Sequence, residues 1–184
     1  MKFTPLKLAD AYLIESPKYS DNRGFLITPY CHKAFEAQGI EFTPVQSNLS
    51  HNKQAGTIRG LHFQTEPHAQ AKLVTCLTGQ IIDVLVDLRP ESETFCQWEA
   101  VELSLKKANA VFIPKGFAHG FQTLENDSLV YYLMDAIYAP EASGGYCYND
   151  ARFNIRWPQA VTEISEKDSQ WPAFSHASRD RISV

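Results

Sequence analysis

The chain has 184 residues, a hydrophobic fraction of 44% and a formal net charge of −4. A chain this long buries a core without disulfide or metal staples, and one domain is expected over residues 1–184. Its 17 Lys and Arg, scattered among 21 Asp and Glu, exclude the basic footprint of a nucleic-acid binder or of a protein held on an anionic membrane. The opening "MKFTPLKLADAYLIE" has no apolar run of signal-peptide length and no later run approaches a membrane span, so a soluble cytoplasmic protein is expected. Cys31, Cys76, Cys96 and Cys147 lie far apart without paired spacing, which fits packing residues in a reducing compartment and neither a zinc motif nor a disulfide framework.

In chain order, the first predicted elements are a strand at "AYLIE" (11–15) and a short helix at "CHKAFEAQG" (31–39). From about Pro44 to Ile137, short segments rich in β-branched and aromatic residues alternate with turn residues. They predict strands at "PVQSNLS" (44–50), "TIRGLHFQ" (57–64), "AKLVTCLT" (71–78), "QIIDVLVDL" (80–88), "QWEAVELSL" (97–105), "AVFIP" (110–114), "GFQTLE" (120–125) and "SLVYYLMD" (128–135). Gly79, Arg89-Pro90 and Asn126-Asp127 supply turns between several of them. This many strands in so short a span predict an all-β sandwich or barrel with a few short helices.

Period-two alternation places Lys72, Val74 and Cys76 on one face of their strand and Leu73, Thr75 and Leu77 on the other. Lys72 then either enters the space that Val74 and Cys76 line or snorkels to solvent, as a strand lysine ordinarily does. In "RGLHFQ" (59–64) the same rule sends Arg59 and His62 to opposite faces. If both serve one pocket, Gly60 marks a bulge or a sharp local twist. On its residues alone, His62 reads as a base, a metal ligand or a packed strand histidine.

The segment "IPKGFAHGFQ" holds Pro114, Gly116 and His119 in the spacing PxGxxH, which resembles the second motif of the cupin superfamily. That resemblance implies a β jelly roll with His119 facing inside. The first cupin motif, a histidine pair HxH followed by a glutamate, corresponds to His62-Phe63-Gln64, with glutamine in place of the second histidine. Two histidines and an amide fall short of the three imidazole or carboxylate ligands that a divalent transition metal prefers, so no metal is expected.

Eight segments carry a closer resemblance: "DNRGF" (21–25), "RGLHFQ" (59–64), "KLV" (72–74), "IPKGFAHGF" (113–121), Tyr132 with Tyr138-Ala139-Pro140, "ND" (149–150), "WP" (157–158) and "SEKD" (165–168). In order and close to spacing, they resemble the dTDP-4-dehydrorhamnose 3,5-epimerase family over nearly the whole chain. The resemblance implies a cupin-type jelly-roll homodimer, free of metal and cofactor, that epimerises a nucleoside-diphosphate-4-keto-6-deoxyhexose, a dTDP-linked sugar first among the candidates. It implies His62 as base, Asp168 as the partner of its other ring nitrogen, Tyr132 as proton donor to the opposite face, and Lys72 as the cation at the enolate oxygen. It places Tyr138 against the nucleotide base and Arg23, Gln46, Asn48, Arg59, His119, Ser143 and Lys167 at ligand contacts. The chemistry suits these residue types: a C4 carbonyl acidifies the C3 and C5 protons, histidine titrates near working pH, and a cation in a dry cavity stabilises developing negative charge. Read singly, Tyr132 is equally an ordinary strand aromatic.

Five positions depart from the family pattern, and they cluster in binding. Pro29 and Ser47 stand where acidic residues are usual, Ser143 where a glutamate contacts substrate, Leu133 where lysine is common, and Tyr148 where tryptophan precedes "ND". Lost carboxylates change which ligand hydroxyls find partners, so the expectation includes a different 4-keto sugar or nucleotide, or inversion at one carbon instead of two. The rival readings are a 3,4-ketoisomerase of the same family, a metal-dependent cupin enzyme, and a non-catalytic sugar-nucleotide-binding jelly roll.

Overall fold

Short apolar runs bounded by turn residues pair into antiparallel ladders, and two faces of such ladders bury each other. In the computed structural model, which describes residues 1–175, the chain runs β1 (Lys2–Pro5), β2 (Tyr12–Glu15), β3 (Tyr19–Asp21), β4 (Gly24–Leu26), α1 (His32–Glu36), β5 (Gln46–Asn52), β6 (Thr57–Gln64), β7 (Lys72–Thr78), β8 (Gln80–Asp87), β9 (Trp98–Ser104), β10 (Asn109–Ile113), β11 (Phe117–Thr123), β12 (Ser128–Met134), β13 (Ser143–Gly145), β14 (Glu163–Ile164) and α2 (Glu166–Ser169). Residues 176–184 of the expected domain lie outside the described residues. The first sheet has the order β1-β2-β10-β7-β12-β5 and the second β13-β6-β11-β8-β9, with β14 added parallel to β6; β3 and β4 form a separate hairpin. This is the expected all-β jelly roll, and among the described residues no helix is long and apolar enough to cross a membrane.

The predicted alternation holds. Val74, Cys76, Val111, Ile113 and Val130 of the first sheet meet Ile81, Leu85, Val101, Leu103, Phe117 and Phe121 of the second in one buried cluster. Each fully buried side chain of this size contributes about 1.5–3 kcal/mol, which makes this layer the main reason the sheets stay together. Leu73, on the other face of β7, packs with Phe35, Phe42 and Phe112 under α1. The outer face of the second sheet is covered by the C-terminal segment, whose Tyr146, Phe153, Ile155 and Phe174 pack on Leu61, Val84 and Val86. That cover returns the chain to β6: Glu163 and Ile164 pair with Thr57 and Ile58, and α2 follows at once.

Two differences from the sequence reading have local causes. β11 begins at Phe117, not Gly120, because Gly116 makes the turn and Phe117 is already paired with Asp87. The alternation pattern predicts none of β1, β3, β4, β13, β14 or α2, which are two to four residues long and take their conformation from the elements they join.

The expected irregularity at Gly60 is present. On β6 and β11, Arg59 is opposite Phe121 and His62 is opposite His119, so three steps on one strand match two on the other. The extra residue turns Arg59 onto the face that His62 occupies. Gly60 has φ +117°, its peptide to Leu61 is cis, and it crosses Gly120 closely. A Cβ on Gly60 would lie 2.6 Å from the Gly120 Cα and 2.7 Å from the His119 carbonyl oxygen, both backbone atoms that cannot swing away. Gly60→Ala is therefore expected to destabilise the fold by about 3 kcal/mol or more. Gly39→Ala, also at positive φ (+72°) but with open space around it, is expected to cost about 1 kcal/mol. Urea unfolding of the two variants compares them; equal stabilities would contradict the steric account of the crossing.

Candidate active site

A cleft runs between the two sheets at their open end, in two continuous lobes. One, of about 500 Å³, is lined by Arg59, His62, His119 and Asp168 on the second-sheet side and by Asn48, Lys72 and Tyr132 on the first-sheet side. The other, of about 310 Å³, shares Asn48, His62, Lys72 and Tyr132 and adds Gln46, Gln64, Tyr138, Ser143 and Lys167. A larger hollow of about 960 Å³ lies over the aromatic cluster outside the first sheet; its ionisable pairs are His32–Glu36, both exposed, and Lys115–Asp135, whose mostly buried carboxylate also accepts the Ala71 amide. Lys72, His119 and Asp168, each with a shifted pKa, line the cleft together.

His62 Nε2 lies 2.6 Å from Asp168 Oδ1, and Asp168 is almost fully buried. Ser165 caps α2 by accepting the Asp168 backbone N–H at 3.1 Å, which sets the carboxylate's direction. Asp168 Oδ2 accepts the Gly60 amide at 3.1 Å, and Oδ1 also accepts Trp171 Nε1 at 3.2 Å. Burial opposes ionisation of Asp168, but the hydrogen bonds from His62, Gly60 and Trp171 outweigh it and hold the carboxyl below its usual range. An ionised Asp168 only accepts, so His62 carries its proton on Nε2 and leaves the Nδ1 lone pair free.

A second buried dyad faces the first. His119, opposite His62 in the ladder, has its Nε2 2.8 Å from Asp83 Oδ2. Burial pushes the His119 pKa down, with Asp83 opposing; burial pushes Asp83 up, against His119 and Lys72. Asp83 Oδ1 has no hydrogen-bond partner among the described residues. Asp83 escapes the sequence reading although a signal for it exists: it is a carboxylate at an inward position between Ile81 and Leu85. Lys72, on β7 in line with Val74 and Cys76, points into the cleft, which resolves the choice between pocket and solvent. Burial lowers its pKa to about 8, partly offset by Asp83.

The remaining predicted residues fall into place around these. Tyr132 packs on the core, and its hydroxyl accepts Asn48 Nδ2 at 3.4 Å. Arg59 is oriented by Asn52, whose Oδ1 accepts its Nε at 2.7 Å; Asn52 is a second residue the sequence reading misses. Gln46 Oε1 accepts the Tyr138 amide at 2.9 Å, and Lys167 lies over Trp171 at 5.3 Å. Arg23 is not among them: it sits on the exposed β3–β4 turn, paired with Asp21 at 2.6 Å. For a metal ion the donors do not fit. Both ends of the Gln64 amide are bonded to backbone, and among the described residues no three His, Cys, Asp or Glu converge on one point.

This chain matches, over residues 5–176, the family model described as dTDP-4-dehydrorhamnose 3,5-epimerase. It is 41% identical over 175 residues to the dTDP-4-dehydrorhamnose 3,5-epimerase of Sinorhizobium fredii, covering 95% of this chain and 90% of that protein. Among solved structures it is similar to the dTDP-4-dehydrorhamnose 3,5-epimerase of Bacillus anthracis with TDP and PPi bound: TM-score 0.90, 42% identity, 94% of this chain and 99% of that one. It is also similar to the dTDP-6-deoxy-D-glucose-3,5-epimerase of Legionella pneumophila in complex with dTDP-4-keto-L-rhamnose: TM-score 0.92, 35% identity, 98% and 96% covered.

The position of Lys72 has a measurable cost. Its folded pKa, about 8, lies below the ordinary 10.5, so between those values the unfolded chain binds more protons and stability rises with pH. Below pH 8 the full penalty of burying the ammonium is present. Lys72→Met is therefore expected to be more stable than the wild type at pH 7, by about 1–2 kcal/mol after allowance for its residual solvent contact and the loss of Asp83's partner. Denaturant unfolding at pH 7 and pH 10 should show that gap narrowing at the higher pH; a gap independent of pH would contradict the assignment.

Proposed function

This chain belongs to the dTDP-4-dehydrorhamnose 3,5-epimerase family, and we propose that it inverts a nucleoside-diphosphate-4-keto-6-deoxyhexose, dTDP-linked, at the carbons flanking the ketone. The observation that carries the reading is placement: His62 projects from the second sheet, while Tyr132 and Lys72 project from the first, into one cleft. An acid and a base on opposite sides of a flat enolate are what inversion requires.

The steps balance with protons alone. His62 Nδ1 removes the proton from C3 or C5, Asp168 stabilises the imidazolium through Nε2–H, and the electron pair moves onto the C4 oxygen, where the Lys72 ammonium meets it. Tyr132 returns a proton to the opposite face and is left as a phenolate; imidazolium and phenolate then re-equilibrate with water. No electron leaves the substrate, so the proposed chemistry draws on no cofactor. Arg59 and Lys167 supply cations for the diphosphate, Tyr138 a ring for the base, and Gln46, Asn48, His119 and Ser143 polar contacts. Ser143 is shorter than the family's usual glutamate and leaves the smaller lobe without that charge. Arg23 lies outside the cleft of its own chain on a hairpin that exposes Tyr19, Phe25 and Leu26, so its expected ligand contact requires a homodimer in which the hairpin crosses to a second copy.

Incubation with dTDP-4-keto-6-deoxyglucose in D₂O, followed by proton NMR, tests the reading. Deuterium should enter at C3, C5 or both, and His62→Ala should abolish entry. Lys72→Ala should lower kcat by roughly 10²–10³. Tyr132→Phe should still exchange, but chiefly with retention of configuration, because the His62 imidazolium returns the proton to the face that lost it while the Lys72 ammonium is engaged at the C4 oxygen. Inversion at the wild-type rate in Tyr132→Phe would remove that residue from the mechanism.

A further inference from the structure

Gln64 stands where a metal-binding cupin has its second histidine, and its amide has another occupation. The side chain is buried, with 8% of the residue exposed. Its Nε2 donates to the carbonyls of His68 at 2.7 Å and Ile137 at 3.3 Å, and its Oε1 accepts the Ala139 amide at 2.8 Å. Carbonyls only accept and an amide N–H only donates, so this is the one orientation of the side-chain amide that satisfies all three. Two of these bonds fall on the residues immediately before and after Tyr138. The Tyr138 amide itself goes to Gln46 Oε1.

Tyr138 is 47% exposed and lines the smaller lobe of the cleft. A half-exposed ring has little packing to hold it, so its direction depends on its backbone. That backbone is irregular, between the end of β12 at Met134 and the 3-10 turn Pro140–Ala142. We propose that Gln64 is a positioning residue for the nucleotide: it bridges β6 to both neighbours of Tyr138 and holds the ring ready to stack on the base of the nucleoside diphosphate. The inference rests on the proposed stacking role of Tyr138. A ring ordered before the ligand arrives spares the binding step the cost of ordering it. Without the amide, three backbone groups lose their partner, the buried Ala139 amide among them, and the segment around Tyr138 must shift to find others. The reacting groups are held independently, His62 by Asp168 and Tyr132 by the β12 ladder.

The test is a double-mutant cycle read by calorimetric binding of dTDP and by steady-state kinetics with dTDP-4-keto-6-deoxyglucose. Gln64→Leu should raise the dTDP Kd and the substrate KM by roughly 5–30-fold while kcat changes less than about threefold. In a Tyr138→Ala background the same substitution should have no further effect on dTDP affinity, because the residue through which Gln64 acts is gone. If Tyr138→Ala weakens dTDP binding but Gln64→Leu does not, or if the two effects add, the positioning role is overturned and the stacking role stands. If Tyr138→Ala binds dTDP as the wild type does, the stacking role fails and this inference fails with it. Gln64→Met, close to glutamine in volume, takes the same place in the cycle should Gln64→Leu not fold.

Discussion

The Asp168 carboxylate is the point on which the site depends. One oxygen accepts the backbone amide of Gly60 and the other holds the His62 ring. These two contacts fix both halves of the irregular stretch of β6, so the bulge that brings Arg59 round to His62's face and the orientation of the His62 ring share a partner. The carboxylate is in turn delivered by the C-terminal segment, through the β14–β6 pairing and the Ser165 cap. A buried carboxylate with three donors around it stays ionised, and an ionised carboxylate fixes the histidine tautomer.

The cleft is also where the fold is least comfortable. Lys72, Asp83 and His119 are all shifted by burial toward their neutral forms, and one oxygen of Asp83 lacks a partner among the described residues. A hydrophobic layer would be more stable there. On the proposed mechanism, the low polarizability of this cavity strengthens the action of a cation and a proton donor on a developing enolate. Residues that destabilise the apo fold are then those that face the ligand, which is the usual form of the trade-off between stability and activity.

Much of the architecture is legible in the sequence because strand alternation is a local signal. Lys72 in line with Val74 and Cys76 announces its own direction, and the conflict between Arg59 and His62 points to an irregularity at Gly60. The His62–Asp168 pairing, 106 residues apart in the chain, is reachable only through the family resemblance, since no periodicity relates a strand to a short helix so far downstream. Asp83 and Asn52 are missed because each reads as one polar residue on a strand; the inward phase of Asp83 between Ile81 and Leu85 was the available clue. Gln64 reads as a ligand that is missing from a metal motif, and only the structure shows its three backbone partners. Arg23 shows the converse limit: a motif match names a residue, while the structure puts it on an exposed turn outside this chain's cleft.

If the Asp168 carboxylate makes His62 a base, Asp168→Asn should reveal it when solvent deuterium entry into dTDP-4-keto-6-deoxyglucose and dTDP affinity are measured together. Exchange is expected to slow by roughly 10³–10⁴, since the neutral amide neither fixes the productive tautomer nor stabilises the imidazolium; dTDP affinity reads separately what the lost acceptor at Gly60 does to the bulge that carries Arg59. Exchange within about tenfold of the wild-type rate would contradict that role of Asp168 and would leave the proton transfer to another group in the cleft.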